Sequence, residues 1–392
     1  VKTAAARASH ASLAKQVGLK LDRSVVFYRH EQDCAPFRKN ECGGYFAGSL
    51  GNNIGYYFRA RACARMGGMD FVFLRFLLAC PGELYAWLPA VVATSAAKQP
   101  EATAFAHGYT AACTRQGAWI HLSATWIPAA RQGGLDIRRA TSAWAEHVGF
   151  PGANDGPVDE VAVHLRCGDT LTQAHGQYGL LSYGAIASFV PYDRPATVGL
   201  ISEPYTLYCA EGEAAAKAKM VGDIQSTHSA RWCSCPCAAA VEMLVDALKV
   251  LRPLATVTIH DQDSMMGSLH RLTHARTASI CVSSTFCLWP VLGAPRGYLV
   301  QGPLFPHADE LADKVPTLGV VKNPGLVSYK TIGTKNLKRC GTSVQTMRSA
   351  VQQKLMPKGA AFVANYTQPV TIRGGSLPPP GGWETERRRR RR

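Results

Sequence analysis

The residues best suited to chemistry crowd the end of a short apolar run, Val161-Ala-Val-His-Leu-Arg-Cys-Gly-Asp169. Val161, Ala162, Val163 and Leu165 suit a strand buried on both faces, as in a parallel sheet. His164, Arg166, Gly168 and Asp169 fall at its carboxyl end, the edge at which open α/β sheets bind ligands. An arginine there offers a permanent positive charge and a planar fork that fits phosphate. The same residues also suit a plain strand end closed by an Arg166–Asp169 surface pair, and the segment alone fits both readings equally.

Other candidates lie elsewhere along the chain. Cys281-Val-Ser-Ser-Thr-Phe286 reads as a strand running into a helix. The hydroxyls of Ser283, Ser284 and Thr285 and the backbone N–H groups of that turn suit a phosphate. Gly48-Ser-Leu-Gly-Asn-Asn53 is a glycine-rich turn ahead of a helical stretch, Ile54–Met66, and a strand, Asp70–Leu74. Gly51, Asn52 and Asn53 suit an anion there, although taken alone a structural turn with a capping Asn explains them better. Asp261-Gln-Asp263 has the DxD form that holds Mn²⁺ or Mg²⁺ in metal-dependent glycosyltransferases, but so short a tripeptide is common by chance. Cys233-Ser-Cys-Pro-Cys237 lacks the second cysteine pair usual for zinc, and disulfides, for instance from Cys209, fit it better.

These residues need a frame to hold them. From Glu160 onward strands and helices alternate: strand Val161–Arg166, helix Tyr183–Phe189, strand Val198–Ser202, helix Cys237–Leu251, strand Ala255–His260, helix Met265–His274, strand Ser279–Ser283, helix Thr285–Leu292 and strand Gly297–Val300. That rhythm predicts a parallel βαβ domain. Val344–Leu355 reads as a helix packing back on it. Before Glu160 the pattern is weaker. Ser24–Arg29 and Trp119–Leu122 read as strands, and Ala90–Ala97 and Ala140–His147 as helices. Gly149–Asp159 is a Pro/Gly/Asn/Asp cluster and the best linker in the chain. The expected division is 1–155, 156–310, a C-terminal segment 311–373, and a flexible tail 374–392.

Composition narrows the function classes. With 392 residues the chain is long enough for two or three domains. Of the net charge of +16, six come from Arg387–Arg392, leaving +10, an excess that suits an anionic substrate such as a sugar nucleotide. The folded part shows no basic stripe with interleaved aromatics, so specific nucleic-acid binding is not expected. No run approaches the roughly 20 apolar residues of a membrane helix. The first residue is Val1, the expectation for a fragment, and membrane association is expected only through an anchor preceding it. Thirteen cysteines are many for a cytosolic enzyme. Cys63, Cys281 and Cys287 read as small buried hydrophobes. Cys34, Cys42, Cys209, Cys233, Cys235, Cys237 and Cys340 suit disulfides in the lumen of the secretory pathway, ER or Golgi. A single sequon, Asn365-Tyr-Thr367, adds little.

Taken in order, Gly48–Asn53, His164-Leu-Arg-Cys-Gly-Asp169 and Cys281–Phe286 resemble the GDP-fucose fucosyltransferases, the α1,2-, α1,6- and protein O-fucosyltransferase group. Ser284-Thr-Phe-Cys-Leu-Trp289 looks like that group's third element. The resemblance spans about residues 41–305, of which only the three segments are specific. It implies two Rossmann-like domains facing across a cleft, a GT-B-like architecture, with the C-terminal domain holding the nucleotide. It also implies transfer of fucose from GDP-fucose to a glycan or protein hydroxyl with no metal or other cofactor. Arg166 matches the group's essential arginine, which stabilises the departing GDP. His164 orients the donor, Ser283, Ser284, Thr285 and Phe286 cradle it, and Gly51, Asn52 and Asn53 approach it from the opposite domain. The chain departs from the pattern in three places: Cys167 stands where many members have a second arginine, Asn53 replaces Gln, and no acid lies near His274-Ala275 to grip guanine. Asp263 is the substitute candidate for that grip. The alternatives are a metal-dependent glycosyltransferase that uses Asp261 and Asp263 and another sugar nucleotide, and a non-catalytic relative that binds glycans or nucleotide sugars.

Overall fold

A computed structural model of the chain describes residues 24–27, 54, 57–58, 70–73, 83–89, 91–92, 127–151, 159–167, 170, 176–203, 205, 209, 234–305, 308–323, 327–332, 344–356 and 371–373. Its strands are β1 Ser24–Phe27, β2 Asp70–Phe73, β3 Val91–Val92, β4 Val161–His164, β5 Gly179–Leu180, β6 Ala196–Ile201, β7 Ala255–His260, β8 Ala278–Cys281, β9 Gly297–Val300, β10 Leu318–Asn323, β11 Val327–Ser328 and β12 Thr371–Arg373. Its helices are α1 Glu83–Trp87, α2 Ile127–Val148, α3 Tyr183–Ser188, α4 Ser234–Leu251, α5 Met265–His274, α6 Thr285–Gly293, α7 Ala308–Lys314, α8 Tyr329–Ile332 and α9 Val344–Lys354.

Seven strands form one sheet in the order β12-β10-β9-β8-β4-β6-β7. Six run parallel and β12 is antiparallel to β10. The chain moves outward from β4 through β6 to β7, then returns to the other side of β4 and moves outward again through β8, β9 and β10. Counted along the chain, those six strands stand 3-2-1-4-5-6, the order of doubly wound dinucleotide-binding sheets. The reversal falls between β4 and β8. There the connections leave in opposite directions, and at such a reversal open α/β sheets bind ligands beyond the carboxyl edge.

The central strands explain themselves. β4 is Val-Ala-Val-His with every residue buried, because helices cover both faces. Val161, Val163, Val198 and Leu200 pack under α3, α4 and α9. Ala162 and Ile201 face the core beneath α2, α5 and α6. Ser182, Ser264 and Ser284 cap α3, α5 and α6, each accepting a hydrogen bond from a first-turn backbone N–H. α2 crosses α6 where Gly134 meets Gly293: a Cβ on Gly134 would lie 2.4 Å from the Gly293 nitrogen. A second, three-stranded sheet pairs β1 parallel with β2 and β2 antiparallel with β3.

The alternating elements expected after Glu160 stand within a few residues of their observed bounds. The same holds for Ser24–Phe27, Asp70–Phe73 and the second half of α2. Within Ala90–Ala97, expected as a helix, Val91 and Val92 instead pair with Val72 and Phe71 as β3, since β-branched side chains suit a pleat better than a helix turn; the rest of that stretch lies outside the described residues. Trp119–Leu122 and most of Ile54–Met66 lie outside the described residues, with Ile54, Tyr57 and Phe58 helical and buried. α2, from the part of the chain before Glu160, packs on α5 and α6, and β10 and β12 belong to the same sheet as β4.

Among the described residues three disulfides join Cys167 to Cys237, Cys209 to Cys235 and Cys281 to Cys287. They belong to an oxidising environment. They also bind Cys235 and Cys237 of the Cys-Ser-Cys-Pro-Cys segment into bridges rather than a zinc site. Cys281 and Cys287 are buried as expected, but bonded rather than lone hydrophobes. Among the described residues no helix is long and apolar enough to cross a membrane.

Candidate functional site

The carboxyl edge beside the β4–β8 reversal gathers most of the described candidates. Arg166 follows β4 by two residues. Its guanidinium pairs with Glu203, which follows β6, the neighbouring strand. Its backbone is held as firmly as its side chain. The Tyr329 hydroxyl donates to the Arg166 carbonyl. The next N–H, that of Cys167, donates to the Tyr205 hydroxyl at 3.0 Å, and the Cys167 carbonyl accepts from Thr170 Oγ1 at 2.9 Å. The disulfide then ties Cys167 to the first turn of α4. Tyr205 is wholly buried, and burial first, with the Glu203 charge second, pushes its phenol well above the ordinary range, so it stays neutral.

His164 ends β4 and is buried, with its ring 5.3 Å from that of Phe286. Burial, and secondarily the positive charge of Arg166, lowers its pKa to about 3. It is therefore neutral at physiological pH, so a partner would meet it through hydrogen bonds rather than charge. Its Nδ1 is buried and has no hydrogen-bond partner among the described residues. Such an unmet polar atom costs about 1–3 kcal/mol, which a ligand group can recover.

α6 starts across the reversal from β4. Ser284 caps it and accepts from the Phe286 N–H at 3.2 Å; Thr285 opens the helix. The helix N-terminus carries the partial positive charge of the helix dipole, which suits an anion. Ser283 has a different task. Its buried hydroxyl accepts from the Gly179 N–H at 3.2 Å and donates to the Gly179 carbonyl at 3.3 Å. Gly179 pairs with Ser328 in the β5–β11 ladder, and Ser328 precedes Tyr329, so this hydroxyl helps place the tyrosine that holds Arg166. Only glycine fits there, since a Cβ would lie 2.1 Å from the Val327 carbonyl oxygen.

Asp261 and Asp263 stand at the carboxyl end of β7, two strands from β4. Asp261 is buried. The Asp263 carboxylate pairs with Arg271, which also reaches Asp159 at 3.2 Å, and His260 adds a contact to Asp159 at 3.4 Å. Asp159, Asp263, His260 and Arg271 thus form one network of contacts beside Gly199, where a Cβ would lie 2.5 Å from an Asp159 carboxylate oxygen. Gly51, Asn52, Asn53 and Asp169 lie outside the described residues.

Sequence reading did not name Glu203, Tyr205 or Tyr329. Glu203 was open to the rule that singled out Arg166, a polar residue just past a buried strand. The tyrosines reach the site only through long-range packing and had no local signal. Comparison with known protein families, curated proteins and solved structures finds no match to this chain.

Proposed function

We propose that the chain is a metal-independent glycosyltransferase that moves fucose from GDP-fucose to a glycan or protein hydroxyl in the secretory pathway. The observation that carries this reading is the meeting of Arg166, the unmet Nδ1 of neutral His164 and the N-terminus of α6 at the strand-order reversal. The three-segment likeness to the GDP-fucose fucosyltransferases supplies the substrate class. In transfer the bond from sugar C1 to the β-phosphate oxygen breaks and its electron pair leaves with GDP. The acceptor oxygen bonds to C1 and its proton passes to water. Negative charge builds on the departing diphosphate, and a fixed guanidinium with helix N–H groups stabilises it as it forms. His164 orients the donor; Thr285 and the α6 turn receive the diphosphate. The likeness further implies a second Rossmann-like domain that presents Gly51, Asn52 and Asn53 to the donor.

The experiment is a thermal-shift titration in excess EDTA. GDP or GDP-fucose raises Tm by mass action, and UDP and UDP-sugars raise it less. Equal or stronger stabilisation by UDP-sugars removes the fucosyltransferase assignment. Stabilisation that vanishes with EDTA and returns with Mn²⁺ removes the metal-independent one.

A further inference from the structure

We infer that Glu203 is the positioning residue for Arg166, and this rests on the glycosyltransferase reading above. An arginine stabilises a transition state only if its fork already faces the place where charge develops. The side chain is long and flexible, and holding it has an entropic cost. At Arg166 the backbone is fixed from three elements: Tyr205 after β6, Cys237 in α4 and Tyr329 in α8. Those contacts stop at the backbone. Glu203 pairs with the guanidinium itself.

The pair differs from an ordinary surface ion pair, which contributes about 0–1 kcal/mol. The side chains are only 17% and 26% exposed, and both sit on the loops that follow neighbouring parallel strands. Glu203 is also anchored from below, because Tyr205, two residues on, bonds the Cys167 N–H. The two loops thus brace each other, with one contact through the backbone and one through charge. A carboxylate on the guanidinium adds negative charge near the diphosphate, so Glu203 is not a binding group for the donor. Its effect falls on the rate, through the orientation of Arg166, more than on affinity.

The test uses the full chain, with GDP-fucose hydrolysis for kcat and KM, calorimetric titration with GDP for affinity, and Tm for folding. Glu203→Gln keeps the shape and removes the charge. It is expected to lower kcat about 10- to 100-fold, part of the loss typical of removing one charge stabiliser, with GDP affinity unchanged or tighter. Glu203→Asp, which restores the charge on a shorter stem, recovers part of that loss. Full kcat in folded Glu203→Gln overturns the inference while the glycosyltransferase reading stands. So does a kcat loss matched by the loss of folded protein, which is what a merely structural residue gives. Should Glu203→Gln not fold, Glu203→Asp carries the test alone: lowered kcat at unchanged KM supports the inference and wild-type kcat overturns it. Arg166→Ala separates the two claims. If it binds GDP and hydrolyses GDP-fucose as the wild type does, the reading of the site itself fails, whatever Glu203 does.

Discussion

Cys167–Cys237 closes the longest loop among the described disulfides and adjoins the residue on which the proposed chemistry depends. The loop spans 70 residues, but Cys209–Cys235 lies within it and short-circuits 26 of them. The effective loop is therefore about 44 residues, and the chain-entropy relation assigns it about 4 kcal/mol. The same relation assigns about 2 kcal/mol to Cys281–Cys287, whose cysteines are 6 residues apart. Replacing both cysteines of a bridge with alanine avoids leaving a free thiol. Differential scanning calorimetry at pH 7.5 is then expected to show Tm lower by about 8–16 °C for Cys167→Ala/Cys237→Ala, and by about half that for Cys281→Ala/Cys287→Ala. The order is the sharper part of the test, because errors common to both bridges cancel in it. Equal shifts, or a larger one for Cys281→Ala/Cys287→Ala, would refute the argument that the bridges act by restricting the unfolded chain.

Two further outcomes follow from burial and packing. Burial lowers the pKa of His164 to about 3 and those of His270 and His274 to about 4, from 6.5 in an unfolded chain. The unfolded state therefore binds more protons between pH 6.5 and 4, so stability is full above pH 6.5 and is lost as pH falls through that window. A Tm at pH 5 equal to that at pH 7.5 would show that these imidazoles are not buried neutral. Gly134→Ala drives a methyl group against the Gly293 backbone and is expected to cost about 1–3 kcal/mol, whereas Gly176→Ala, with nothing within 4 Å, is expected to be near neutral. Denaturant midpoints measure both, and a neutral Gly134→Ala would mean that the α2–α6 contact is looser than described.

The alternation of elements after Glu160 was legible because apolar period and turn residues are local signals. Ala255–His260 and Met265–His274 have their expected bounds, and Ser284 caps α6 through its own first turn. Arg166 and His164 were legible as the polar end of a buried strand. Val91-Val92 was misread because neighbouring alanines outweighed two β-branched residues that needed β2 as a partner. The strand order was not legible. Nothing local to Ala278–Cys281 says that β8 lies against β4 rather than β7, and that choice creates the reversal where the candidate site sits. Nor could the sequence show that Arg166 takes Glu203 as its partner, that Ser283 serves Gly179, or that Asp263 serves Arg271. Those pairings join residues 8 to 104 positions apart. A strand end proposes a charge from its own composition. Which opposite charge meets it is set by the strands and helices packed alongside, because an ion pair depends on distance in space and hardly at all on distance along the chain.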